Sequence, residues 1–168
     1  ISGGPEMGRR MAGRNITISG PDGNFSGYLS TPGAGTGPGV VVIQEIFGVN
    51  AVMRAVADAL AARGYLALCP DLFWRLKPGI QLTDKTKAEW DQAFALMNRF
   101  DADAGVKDIQ ATITQLRKLQ GCTGKVGAVG YCLGGLLAYL TAARTDSDAS
   151  IGYYGVNIQT KLAEAKTI

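Results

Sequence analysis

The run Lys125-Val126-Gly127-Ala128-Val129-Gly130-Tyr131-Cys132-Leu133-Gly134-Gly135 restricts this chain more than any other stretch. It begins with strand character, reaches one residue bracketed by Gly130 and Gly134, and enters Leu136-Leu137-Ala138-Tyr139-Leu140, which reads as a helix. Strand, glycine, any residue, nucleophile, any residue, glycine, helix is the pattern of a nucleophile elbow. The glycines have a steric reason. On so sharp a turn the residues two before and two after the nucleophile press backbone on backbone, and a Cβ there would clash. The central position holds a thiol, Cys132. Unpaired N–H groups and the dipole of the helix starting near Leu133 favour a thiolate, and the Leu133 N–H would point the same way. The bland alternative is an inert buried cysteine.

A chain of 168 residues can bury one real core. The order of elements says how. Asn15 to Ser19 and Phe25 to Thr31 read as strands joined across the turn Pro21-Asp22-Gly23-Asn24. Val40-Val41-Val42-Ile43 is a continuous β-branched run, expected of a strand covered on both faces. Asn50 then caps a helix with Val52, Met53, Val56 and Leu60 as apolar positions, ending at Arg63-Gly64. Tyr65 to Cys69 is a second core strand, and Phe73 to Leu82 a surface loop. Thr83 or Asp84 caps a helix with Trp90, Phe94 and Met97 on one face, and Asp101 or Asp103 starts another bearing Val106, Ile109, Ile113 and Leu116. After the elbow come a strand over Ser150 to Gly155 and a helix from Ile158 to Ala165. Alternating strands and helices imply an α/β fold, a mostly parallel sheet with helices on both faces. Ligands of such sheets bind outside the carboxyl ends of the strands. The domain is expected over residues 15–168, preceded by a flexible tail over 1–14 without the apolar stretch of a secretory signal.

The net charge of +3 is small and its cations are scattered, which leaves no nucleic-acid footprint. No apolar run is long enough to span a membrane. The three cysteines, Cys69, Cys122 and Cys132, lack paired or metal-ligand spacing. They imply reduced thiols and a cytoplasmic setting, with no metal or cofactor expected. Cys69 reads as a core strand residue and Cys122 as part of a polar turn. Ser26, Ser30, Ser147 and Ser150 lack elbow context. The chain has no histidine, so a mechanism needing an imidazole cannot be completed within it.

Glu45 follows the buried strand Val40 to Ile43, just past its carboxyl end, as Cys132 follows its own. A carboxylate there is costly without a task or partner. It is either a proton acceptor beside the nucleophile, with the Ile46 N–H as second oxyanion donor, or a loop carboxylate facing water. Phe47, Trp90 and Phe94 line an apolar cleft or belong to plain core.

Gln44-Glu45-Ile46-Phe47-Gly48-Val49-Asn50, Cys69-Pro70-Asp71-Leu72, Gly130-Tyr131-Cys132-Leu133-Gly134-Gly135 and Gly152-Tyr153-Tyr154-Gly155-Val156, in that order, resemble the dienelactone hydrolase (carboxymethylenebutenolidase) family. The likeness runs from about Ile16 to the end. It implies an α/β-hydrolase fold and hydrolysis of small esters or lactones, of the type that opens carboxymethylenebutenolide to maleylacetate. It further implies a Cys, His, Asp triad with Cys132 as nucleophile, oxyanion N–H groups from Leu133 and Ile46, and Glu45 as the carboxylate that takes the thiol proton. Phe47, Trp90 and Phe94 are expected against the substrate. Two departures stand out. The family's triad Asp and His follow the Tyr-Tyr-Gly strand, so the sequence is expected to be the N-terminal two-thirds of an enzyme, inactive alone and lacking its last strands. Trp90 stands about where the family's prototype has an arginine for the substrate carboxylate. The expected partner is a small-molecule ester or lactone and the full-length protein a monomer. The strand over Ser150 to Gly155, left as an apolar edge, is expected to make the 168-residue chain poorly soluble. The alternatives are a non-catalytic α/β-hydrolase-like binding domain and a general carboxylesterase with another substrate. A thiol-transfer role would need a resolving cysteine close to Cys132 in sequence, and there is none.

Overall fold

The β-branched run Val40 to Ile43 lies in the middle of the sheet, where its lack of polar alternation requires it to be. The structure, a computed structural model, describes residues 13–168. Strand β1 (Arg14–Gly20) and strand β2 (Gly23–Ser30) form the expected antiparallel hairpin. Strand β3 (Gly37–Ile43) runs parallel to both β4 (Leu66–Pro70) and β5 (Cys122–Tyr131), and β6 (Ala149–Tyr153) continues the parallel set beyond β5. The order is β1-β2-β4-β3-β5-β6, with β2 antiparallel to β4. Of the tail expected over 1–14, residues 1–12 lie outside the described residues, and Arg14 already belongs to β1.

Strand periodicity sorts the core between the two faces. Val41, Ile43, Leu66 and Leu68 pack with helix α3 (Ala102–Lys118) and helix α4 (Leu133–Arg144), whereas Val42, Ala67 and Cys69 pack with Met53 and Ala57 of helix α1 (Ala51–Ala61). Helices therefore cover both faces of a mostly parallel sheet, as the element order implied. Asn50 caps α1 by accepting the Met53 N–H at 3.1 Å, and Asp101 caps α3 through the N–H groups of Asp103 and Ala104. The expected stripe Val106, Ile109, Ile113 and Leu116 is wholly buried.

Several expectations need correction. Helix α2 (Lys87–Arg99) is capped by Thr86, because the Glu89 carboxylate turns back to accept from both threonine hydroxyls and the Thr83 N–H. This helix buries Ala93 and Leu96, not Trp90 and Phe94, which stay 37% and 45% exposed. Val52 of α1 likewise faces outward at 60% exposure. The segment from Phe73 to Leu82 is a loop whose middle, Arg75 to Gly79, is largely exposed, but its ends are anchored, since Phe73, Ile80 and Leu82 are buried. The buried Asp71 carboxylate pins it by accepting the N–H groups of Phe73 and Gly79. After β6 the chain turns at Tyr154, and the helix expected from Ile158 is a 3-10 helix, Ile158–Thr167. Cys122 opens β5 rather than sitting in a turn.

Candidate active site

Cys132 stands between β5 and α4 with φ 56° and ψ −115°, a conformation side chains rarely adopt. Its neighbours explain why the chain tolerates it. A Cβ on Gly130 would run into the Gly134 carbonyl, and one on Gly134 would strike the carbonyls of Ile43 and Gln44 at the end of β3. The missing side chains let α4 begin directly against β3, so the thiol is delivered beside the loop that follows β3.

Glu45 opens that loop. Buried Gln44 fixes it from both sides, its amide donating to the Glu45 carbonyl (3.2 Å) and its carbonyl accepting the Leu72 N–H (2.9 Å). Glu45 is itself half-buried, and its charge reaches the Cys132 thiol. The thiol is held above its ordinary value, first by burial and then by the Glu45 carboxylate, while the Leu133 N–H pulls it down. Burial thus works against the thiolate that the helix start favours. Leu133 and Ile46, the two expected oxyanion donors, are both buried, Leu133 in the first turn of α4 and Ile46 in the loop after β3.

A third strand end contributes what the sequence reading used only as part of a motif. The turn after β6 is fastened to the nucleophile residue, with the Cys132 N–H donating to Tyr153 O (3.1 Å) and the Val156 N–H donating to Cys132 O (3.3 Å). Tyr154, at φ 40°, donates its hydroxyl to Glu45 Oε1 at 3.3 Å. Tyr131 and Tyr153 stack beside it with centroids 5.2 Å apart. The Tyr154 phenol is pushed above its ordinary value by desolvation and by the Glu45 carboxylate, and Tyr131 by desolvation, Tyr153 and Glu45. The pair Tyr153-Tyr154 followed by Gly155 was the available signal, since a side chain on Gly155 would meet Gly135 at the start of α4.

Phe47, Trp90 and Phe94 form one aromatic ridge. Phe47 meets Trp90 edge-on at 5.0 Å, and Trp90 leans on Phe94 at 5.5 Å. The Trp90 indole donates to Asp84 O, which fixes its orientation. Only Phe47 of the three is core. Two of the cations near this stretch are engaged elsewhere: Arg75 forks onto Asp108 and Asp22, and Lys87 pairs with Asp91. Cys69 is fully buried and its thiol is pushed up to about 12, chiefly by desolvation, which makes it inert as expected. A separate polar pocket of about 320 Å³ lies beside Tyr28, Arg54 and Gln81, where Arg54 already donates to Val49 O and Gln81 Oε1. Among the described residues, no cluster of three or more His, Cys, Asp or Glu side chains could hold a metal ion, and no helix is long and apolar enough to cross a membrane.

Residues 25–168 match the model of the dienelactone hydrolase family. An Azospirillum brasilense protein provisionally named carboxymethylenebutenolidase is 49% identical over 158 residues, 89% of this chain. Carboxymethylenebutenolidase 1 of Cupriavidus pinatubonensis is 41% identical over 163 residues, 97% of this chain. The chain spans 65% of the length of each. The crystal structure of a Klebsiella pneumoniae chain, provisionally named a dienelactone hydrolase, superposes with a TM-score of 0.71 at 24% identity, covering 85% of this chain and 59% of that one. The α/β-hydrolase architecture follows from that likeness.

Proposed function

This chain belongs to the dienelactone hydrolase family, and we propose that the full-length protein hydrolyses small esters or lactones through Cys132. The observation that carries this reading is the strained, glycine-framed Cys132 at the end of β5, with the Glu45 carboxylate at the end of the adjacent parallel strand. A thiol whose ionisation burial opposes needs a base at the moment of attack. In the proposed step the S–H bond breaks and its proton goes to Glu45. The sulfur electron pair forms a bond to the substrate carbonyl carbon, and the N–H groups of Leu133 and Ile46 take the developing oxyanion. Collapse breaks the bond from the carbonyl carbon to the ester oxygen, which takes the proton back from Glu45 and leaves as the alcohol, and a thioester remains. Its hydrolysis calls for a general base for water, a task for an imidazole, which these 168 residues do not contain.

The test is Cys132→Ala and Glu45→Gln in the full-length protein, assayed with p-nitrophenyl acetate and with a dienelactone. Cys132→Ala is expected to cost at least roughly 10³-fold in kcat. Unchanged turnover would remove Cys132 from the mechanism. Slow alkylation of the thiol does not separate an enzyme from a non-catalytic domain here, because burial slows it in either case.

A second reading concerns the substrate. The half-exposed Trp90 and Phe94 beside Phe47 offer an apolar wall suited to an uncharged acyl or alcohol group, as in a general carboxylesterase. A kcat/KM higher for p-nitrophenyl butyrate than for a carboxylate-bearing dienelactone supports it, and the reverse order rejects it.

A further inference from the structure

We infer that Tyr154 is a positioning residue for the proton acceptor: its phenol holds one oxygen of Glu45, turning the other toward the Cys132 thiol. This rests on the proposed nucleophile chemistry and adds to it a residue from a third strand end.

Tyr154 is an expensive residue to keep where it is. It has a positive φ of 40° without being glycine, and the residue is 69% exposed, so burial does not account for its place. What accounts for it is the elbow. The turn that carries Tyr154 is tied to Cys132 by a hydrogen bond on each side, from the Cys132 N–H to Tyr153 O and from the Val156 N–H to Cys132 O. The backbones of Gly135 and Gly155 also meet so closely that neither tolerates a Cβ. The phenol's position is therefore set by the residue that bears the thiol. From that anchor the ring reaches across the end of β5, leans on Tyr131 at 6.1 Å and donates to Glu45 Oε1. Thiol, carboxylate and phenol are held in one frame built from the ends of β3, β5 and β6. A carboxylate on a loop, offered to the thiol by either of two oxygens, loses rotational freedom once one oxygen is engaged, and a proton transfer depends on such alignment.

The experiment is a double-mutant cycle in the full-length protein with Tyr154→Phe and Glu45→Gln, run alongside Cys132→Ala. Hydrolysis of p-nitrophenyl acetate is followed from pH 5 to 9. Tyr154→Phe removes one oxygen from an exposed side chain, and the thermal midpoint is expected to stay within about 2 °C. It is expected to lower kcat roughly tenfold with KM within twofold, because the carboxylate loses the donor that aligns it. In the Glu45→Gln background the same change is expected to cost less than about twofold. Equal losses in both backgrounds, or no loss in either, would overturn the positioning role. If Cys132→Ala abolishes hydrolysis while Tyr154→Phe is silent, the positioning role alone falls. If Cys132→Ala retains full activity, both readings fall.

Discussion

At Cys132 the backbone sits at φ 56° and ψ −115°, a region that glycine occupies freely and other residues at a cost of roughly 1–3 kcal/mol. A side chain is kept there although glycine would fit better, so the strain is measurable by comparing two variants that both lack the thiol. Cys132→Gly is expected to be more stable than Cys132→Ala by about 1 kcal/mol in urea unfolding of the full-length protein. Equal midpoints would mean that the turn relaxes when the thiol is removed and that no strain is stored. The same position shows what residue types disclose. Glycine spacing around a cysteine is readable because it reports a backbone requirement. How burial acts on that cysteine is not readable, because it depends on what the fold packs around the thiol. Tyr154 was illegible for a related reason: its hydroxyl meets a carboxylate 109 positions earlier in the chain, and no local pattern encodes that pairing.

Among the elements, those with a strong period were readable and those set by tertiary partners were not. The run Val40 to Ile43 and the stripe from Val106 to Leu116 contain their own burial instructions, and both lie where those instructions place them. Helix α2 carries two competing stripes, and the small one, Ala93 with Leu96, wins the core because it allows a closer approach. The larger Trp90 and Phe94 are left as a ridge. That the loop from Phe73 to Leu82 is anchored was not legible, because its anchor is distant. Asp108 of α3, 1% exposed, accepts from the Trp74 indole at 3.0 Å and from both terminal nitrogens of Arg75, which also bridges to Asp22 in the β1–β2 turn. The Arg75 guanidinium lies over the Trp74 ring at 4.7 Å, and that ring stacks on Phe25. One buried carboxylate thus joins helix, loop and hairpin. Asp108→Ala would leave the indole N–H without its partner and Arg75 free to turn toward water. Because Arg75 is already partly exposed, the loss is expected near roughly 2 kcal/mol rather than at the upper end for buried pairs. A cost below about 0.5 kcal/mol in urea unfolding would show that the segment is held by its apolar residues alone.

Across the whole molecule, strain and charge sit apart. The strained residues Cys132 and Tyr154 lie at the carboxyl ends of the strands, whereas ionic clamps gather around the far end of α4 and the starts of β5 and β6. There Arg117 binds Asp146 and Asp148, and Arg144 binds Asp103 and Glu164, the latter fastening the terminal 3-10 helix to α4. The carboxyls of Asp103 and Glu164 are held below their ordinary values by hydrogen bonds from Arg144, Asp146 by Gln110 and then Arg117, and Asp148 by the Val126 N–H and then Lys125. Groups with lowered folded-state values add stability above their unfolded values, near pH 4, and lose it as the pH falls through the lowered folded ones. Asp71 works in the opposite sense, since burial raises it and its contribution fades as pH rises. Four clamp carboxyls against one set the sign. Stability is expected to fall from pH 5 toward pH 2, starting at the end of the molecule remote from Cys132. The clamps are partly exposed, so salt weakens them and the fall is steeper at low ionic strength. Arg117→Gln removes one clamp while leaving the candidate site untouched. It should lower the urea midpoint at pH 7 more than at pH 2.5 and so flatten the curve between them. A parallel displacement of the whole curve would mean that Arg117 acts through its packing and its bond to Gly124 O, and that acid lability arises elsewhere.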